Sequence, residues 1–200
     1  MQPTERPGPS SLTVVNLWGA PATGKSTTAA GLFNLLKQGG ARVELVTEFA
    51  KDLTYEKNYG SLENQLAILA EQDRRLRRLV GQVDIAITDS PLPLGLLYMT
   101  PEYEEWLPDA IMGAYDRYHN IDILLERTGA YEQYGRRQTE HESLVLQTQL
   151  RDIFRRATHW NGAARDHEAE AHHMVADEFA PFHIAELLPV PNMERLLDAA

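Results

Sequence analysis

The residues Gly19-Ala20-Pro21-Ala22-Thr23-Gly24-Lys25-Ser26 match the pattern G-x-x-x-x-G-K-[ST] at every fixed position. The chemistry of such a loop is the capture of a polyphosphate. Its glycines let the backbone curl so that successive N–H groups converge on phosphate oxygens. A helix opening at Ser26, with Thr27 in its first turn, points its positive end at the same anion. Lys25 is expected to reach the β- and γ-phosphates, and the Ser26 hydroxyl to hold Mg²⁺. Residues 19–27 are therefore the expected binding segment for a nucleoside triphosphate, with ATP and Mg²⁺ as cofactors.

Two acids stand where that loop would need them. Ile85-Ala86-Ile87-Thr88-Asp89 is an apolar strand ending in a carboxylate, the pattern of a Walker B element lying beside the phosphate-loop strand. Such an aspartate holds Mg²⁺ directly or through water. The pattern is common on its own; the loop upstream gives it weight. Glu48 follows a second strand in Val46-Thr47-Glu48-Phe49-Ala50-Lys51-Asp52. A carboxylate there could orient or deprotonate an attacking hydroxyl. The alternative is an acid in the first turn of a helix, favoured by the helix dipole. Asp52 is a weaker candidate for the same neighbourhood.

Arg127, Arg136 and Arg137 flank and populate a polar segment after the fourth expected strand. A phosphoryl transition state spreads negative charge over its oxygens, and guanidinium groups on a closing lid stabilise it. Lys25, Glu48, Asp89 and these three arginines form the expected catalytic set, with Ser26 and Asp89 at the metal. Arg74, Arg75, Arg77 and Arg78 lie instead on a helix with a good apolar stripe and read as a solvated polar face. His167, His172 and His173 cluster with Asp166, Glu168 and Glu170, but no zinc spacing fits. Trp160 reads as a half-buried core residue rather than a platform for adenine.

Holding these groups in place calls for strands alternating with helices. That alternation points to an α/β P-loop NTPase fold, a five-stranded, mainly parallel sheet with helices on both faces and a lid loop. Strands are expected at 12–18, 42–46, 83–88, 121–126 and 173–176. The first helix, 26–38, is closed by Gly39-Gly40. A second, over 61–80, carries the stripe Leu62, Leu66, Leu69, Leu76 and Val80. Residues 95–118 read as helix in pieces, broken near Pro101 and Pro108. Residues 127–138 read as the lid. Thr139 and Glu142 have capping-box spacing and open a helix to about residue 159, and a last helix lies near 179–188. A single domain is expected over 11–190, between tails at 1–10 and 191–200.

With 200 residues, of which 43% are hydrophobic and 24% charged, the chain suffices for one full core. No apolar stretch approaches a membrane span. The first ten residues lack the apolar segment of a signal peptide, so a cytoplasmic setting is expected. The absence of cysteine excludes disulfides, thiol catalysis and thiolate metal sites. A net charge of −10 argues against a dedicated non-specific DNA binder. The arginine-rich middle of the chain still leaves room for a local basic groove.

The chain resembles small P-loop kinases of the nicotinamide riboside kinase-like group, especially members carried by bacteriophages. The likeness rests on the 19–26 loop, on Val46-Thr47-Glu48-Phe49-Ala50-Lys51, on Thr88-Asp89-Ser90-Pro91 and on Gly135-Arg136-Arg137-Gln138-Thr139. It covers 12–160 and implies phosphate transfer from ATP to a hydroxyl of a nucleoside- or nucleotide-type acceptor. It also implies an alternative acceptor, since related phage kinases act on 5-hydroxymethyl-pyrimidine bases already in DNA. Residues 92–118, the acceptor region, match no nicotinamide riboside signature. An acceptor-free ATPase or switch is the third reading. No Asn-Lys-x-Asp base-reading element supports a GTPase, and the chain is short for a ring motor. A homodimer is compatible with all three.

Overall fold

The computed structural model describes residues 12–103, 105–127, 140–159, 170–188 and 190. Five strands, β1 (Thr13–Trp18), β2 (Val43–Val46), β3 (Ile85–Thr88), β4 (His119–Glu126) and β5 (Glu170–Val175), form one sheet in the order β2-β3-β1-β4-β5. Every pairing is parallel. Around it run α1 (Lys25–Gln38), α2 (Phe49–Tyr55), α3 (Tyr59–Glu63), α4 (Gln65–Arg77), α5 (Leu107–Tyr115), α6 (Glu140–Thr158) and α7 (Ala180–Glu186).

The sheet is covered on both faces, which is why β1 reads as an almost unbroken apolar run. Alternate side chains of β1 enter separate cores. Val14 and Trp18 join Leu76, Met112, Tyr115, Leu150 and Phe154 on the side of α4, α5 and α6. Val15 and Leu17 join Leu32, Leu36, Ile123 and Ile184 on the side of α1 and α7. Each fully buried leucine contributes about 1.5–3 kcal/mol. The polar interruptions are paired. Asn16 donates to Asn120 at 2.9 Å, and Asp122, fully buried on β4, accepts from Trp18 Nε1 at 2.7 Å and from the Tyr115 hydroxyl.

The expected 61–80 helix is two helices. Asn64 leaves helical geometry (φ −81°, ψ 81°) and its side chain accepts from the Ala67 amide at 3.0 Å, so it ends α3 and caps α4. The leucine stripe marks the buried face only in part: Leu76 is in the core and Leu69 packs against it. Leu66 and Val80 are 42% and 39% exposed, whereas Gln65, Gln72, Asp73 and Leu76 are buried. Pro108 does not break a helix but starts one, in the first turn of α5. Between β3 and α5 the chain forms 3₁₀ turns at Leu92–Tyr98 and Pro101–Tyr103.

Candidate functional site

β1, β2 and β3 run parallel as neighbours, so the segments leaving their C-terminal ends meet at one edge of the sheet. The register sets Asn16 beside Thr88, and Val46 beside Thr88 on the other side. The 19–26 loop, Glu48 and Asp89 therefore emerge within one turn of each other.

The loop closes on itself. The Thr23 amide and hydroxyl both donate to the Ala20 carbonyl, at 3.2 and 2.9 Å. A Cβ on Gly19 would lie 2.3 Å from the Thr23 hydroxyl, so only glycine permits this closure. Ala22 and Gly24 take positive φ (67° and 89°), the twist that turns consecutive amides inward. At Ala22 that backbone costs about 1 kcal/mol. Gly24 caps α1 without a side chain, and the first turn of α1 holds no acid. Its leading amides are thus open to an anion. Lys25 Nζ lies across the loop and donates to the carbonyls of Gly19 (2.7 Å) and Ala20 (3.2 Å).

The Ser26 hydroxyl donates to Asp89 Oδ2 at 2.5 Å. Asp89 is buried, and its Oδ1 has no hydrogen-bond partner among the described residues. A buried carboxylate oxygen without a donor, beside a serine hydroxyl, is an oxygen set suited to a hard divalent cation such as Mg²⁺. No cluster of three or more His, Asp or Glu stands together as a metal site among the described residues. Such an ion would take its remaining ligands from phosphate and water.

Glu48 is the N-cap of α2, but its side chain makes no capping bond. The residue lines the cleft as well. Burial pushes its pKa up, the Lys25 ammonium opposes that, and Asp89 reinforces it. Tyr98, ending the first 3₁₀ turn, lines the same cleft; burial and then the Glu48 charge push its phenol up to about 12. A smaller recess of about 240 Å³ joins Ser26, Glu48, Lys51, Asp52 and Asp89.

The main cleft, about 570 Å³, runs from the phosphate loop past Glu48 into a bowl walled by Tyr55, Leu62, Ile68, Leu94, Leu97 and Tyr98. That volume suits a small-molecule site. Leu94, Leu97 and Tyr98 fall within the 92–118 segment expected as the acceptor region, whereas Tyr55, Leu62 and Ile68, drawn from α2, α3 and α4, carried no signal in the sequence.

Arg127 sits half-buried just past β4, whereas Arg136 and Arg137 lie outside the described residues, as do Trp160, Asp166, His167 and Glu168. His172 and His173 are neighbours on β5, with His173 edge-on to Phe154 at 5.5 Å. The Arg74–Arg78 run is not uniformly solvated. Arg74 and Arg77 are open, but the Arg75 side chain is 17% exposed and donates to Asp52 at 2.7 Å and to the Thr47 carbonyl at 3.2 Å. No helix among the described residues is long and apolar enough to cross a membrane.

No curated protein matches the chain closely enough to be informative. Residues 14–161 match the family model described as an AAA domain, a span that begins on β1 and takes in the phosphate loop, Glu48, Asp89 and α6. With a wholly parallel five-stranded sheet and a phosphate loop at the end of its central strand, the chain belongs to this AAA-domain family of P-loop nucleotide-binding proteins.

Proposed function

We propose that the chain is an ATP-dependent kinase that transfers the γ-phosphate to a hydroxyl of a nucleoside- or nucleotide-type acceptor. The observation that carries this reading is the continuity of the cleft: one cavity joins the phosphate loop to an aromatic and aliphatic bowl, with Glu48 between them. Beyond its own nucleotide, a hydrolase or switch needs room only for water. A bowl walled by Tyr55 and Tyr98 is suited to a planar second substrate.

In this reading the 19–27 amides and Lys25 hold the phosphates, and the Ser26 and Asp89 oxygens would hold Mg²⁺, whose charge would offset that of the phosphates. The acceptor hydroxyl lies at Glu48. Its oxygen bonds to the γ-phosphorus as the bond to the β–γ bridging oxygen breaks, its proton passes to Glu48, and ADP leaves. Arg127, with Arg136 and Arg137, neutralises charge on the transferring group. Among the described residues the bowl's lining contains no arginine, which favours a free nucleoside over a base within a DNA polymer.

The test is phosphoryl transfer from ATP with Mg²⁺ to a panel of nucleosides, nucleotides and 5-hydroxymethyl-pyrimidine DNA, read by mass. Transfer to nucleosides is expected. Label in the DNA alone would move the acceptor to the polymer, and hydrolysis with no acceptor at all would favour the switch. Glu48→Gln should lower transfer by about 10²–10⁴-fold while ATP binding persists; undiminished transfer overturns the role given to Glu48.

A further inference from the structure

Gln72 is 3% exposed, on a helix outside the phosphate loop, and spends both ends of its amide on the segment that carries Glu48. Its Oε1 accepts from the Phe49 amide at 3.1 Å. Its Nε2 donates to the Thr47 carbonyl and to the Thr88 hydroxyl, both at 3.4 Å. The residues on either side of Glu48 are thus gripped by one side chain. Thr88, the residue before Asp89, is gripped too, and its hydroxyl also accepts from the Ser90 amide at 3.1 Å.

One helical turn further on, Arg75 adds a second hold. It donates to the Thr47 carbonyl at 3.2 Å and to Asp52 at 2.7 Å, and its guanidinium stacks 5.2 Å from the Phe49 ring. Glu71 accepts from Arg75 at 3.0 Å and fixes its direction. Three and four residues apart on one face, these side chains turn α4 into a brace.

The brace answers a local need. Phe49 is the first residue of α2, so its amide has no partner within that helix. Glu48, in the N-cap position, does not supply a capping bond. Gln72 meets part of the need from another helix, which leaves the Glu48 carboxylate to the cleft.

We propose that Gln72, seconded by Arg75, is a positioning residue for phosphoryl transfer: it holds the backbone on both sides of Glu48, so that this carboxylate keeps a fixed place in the cleft. The proposal rests on the kinase reading above, since it acts through Glu48.

Gln72→Met keeps the side chain's bulk and removes both hydrogen-bonding ends. The measurement is transfer from γ-labelled ATP to a mixture of ribo- and deoxyribonucleosides, in parent and Glu48→Gln backgrounds. In the parent, kcat should fall about 10- to 100-fold, because a misplacement near 1 Å has that effect, with KM for ATP unchanged within about 2-fold. In the Glu48→Gln background the same substitution should remove less than about 2-fold, since residues acting as a unit are not additive. An equal loss in both backgrounds, or a parallel rise in KM for ATP, means a merely structural role and overturns the proposal.

Should Gln72→Met fail to fold, Arg75→Met decides, with an expected kcat loss of about 5-fold or more that vanishes in the Glu48→Gln background. If Glu48→Gln abolishes transfer and neither α4 variant lowers kcat, only the positioning role falls. If Glu48→Gln changes nothing, the kinase reading has failed, and the brace's role falls with it.

Discussion

The Ser143 hydroxyl donates to the Pro21 carbonyl at 2.9 Å, tying the first turn of α6 to the crown of the phosphate loop. Ser143 is buried, and lower on the same helix Leu150 lines the cleft and Phe154 meets Trp18 edge-on at 5.5 Å. The helix that follows the 128–139 segment is thus fastened to both the loop and the strand that feeds it. Ser143→Ala should lower stability by about 1 kcal/mol, the usual net worth of one hydrogen bond. It should also weaken ATP binding; denaturant melts and calorimetry read the two effects, and a variant with parent-like affinity would separate the helix from the loop.

Glu48 gives a stability prediction with a definite sign. Its carboxyl titrates above the ordinary 4.5, first because of burial. Between those two values the unfolded chain has released a proton that the folded protein keeps, so stability falls as pH rises through that window. Above it, ionised Glu48 is a constant penalty. Glu48→Gln should therefore raise Tm at pH 7–8, with the advantage shrinking as pH falls toward about 4.5. Thermal melts across pH measure this; a Gln variant less stable than the parent at neutral pH would contradict a carboxylate held at the expense of its hydration.

Asp89 tests the metal side. Asp89→Asn retains an oxygen for the Ser26 hydroxyl and places a neutral amide where a charged oxygen stood without a donor. The Mg²⁺ concentration for half-maximal ATP turnover should rise by about 10- to 100-fold. Circular dichroism should stay parent-like. An unchanged Mg²⁺ dependence would remove Asp89 from the metal site.

Glu71 makes the opposite pH prediction. Hydrogen bonds from Arg74, at 2.7 and 2.9 Å, and from Arg75 hold its carboxyl down at about 2. A depressed carboxyl stabilises the fold above its unfolded value, and that gain is lost as pH falls from about 4.5 to about 2. Glu71→Gln should destabilise at neutral pH and match the parent near pH 2, as seen in acid melts.

The sheet and the phosphate loop were legible because their signals are local. Apolar runs of strand length, a glycine-framed lysine and an acid after Thr88 need no knowledge of distant residues. The brace was not legible. Gln72 meets Phe49 across 23 residues and Thr88 across 16, and only tertiary packing brings them together. Arg75 looked like its neighbours, because a run of arginines does not disclose which member faces inward. The break at Asn64 was masked by leucines that continue the helical period across it, although the Asn64 cap was there to be noticed. Glu48 had two readings in the sequence, a cleft carboxylate and an acid at a helix start, and it stands at both places, N-cap of α2 and lining of the cleft.

Because Val46, Thr88 and Asn16 stand level across three hydrogen-bonded strands, the spacing between the groups that leave those strands belongs to the main chain. It is inherited from the most protected part of the molecule and should drift only when the whole domain melts. Change can then concentrate in the 3₁₀ turns at 92–103, which shape the bowl. New ligands could be recruited there while the phosphate loop and the acids beside it keep their alignment.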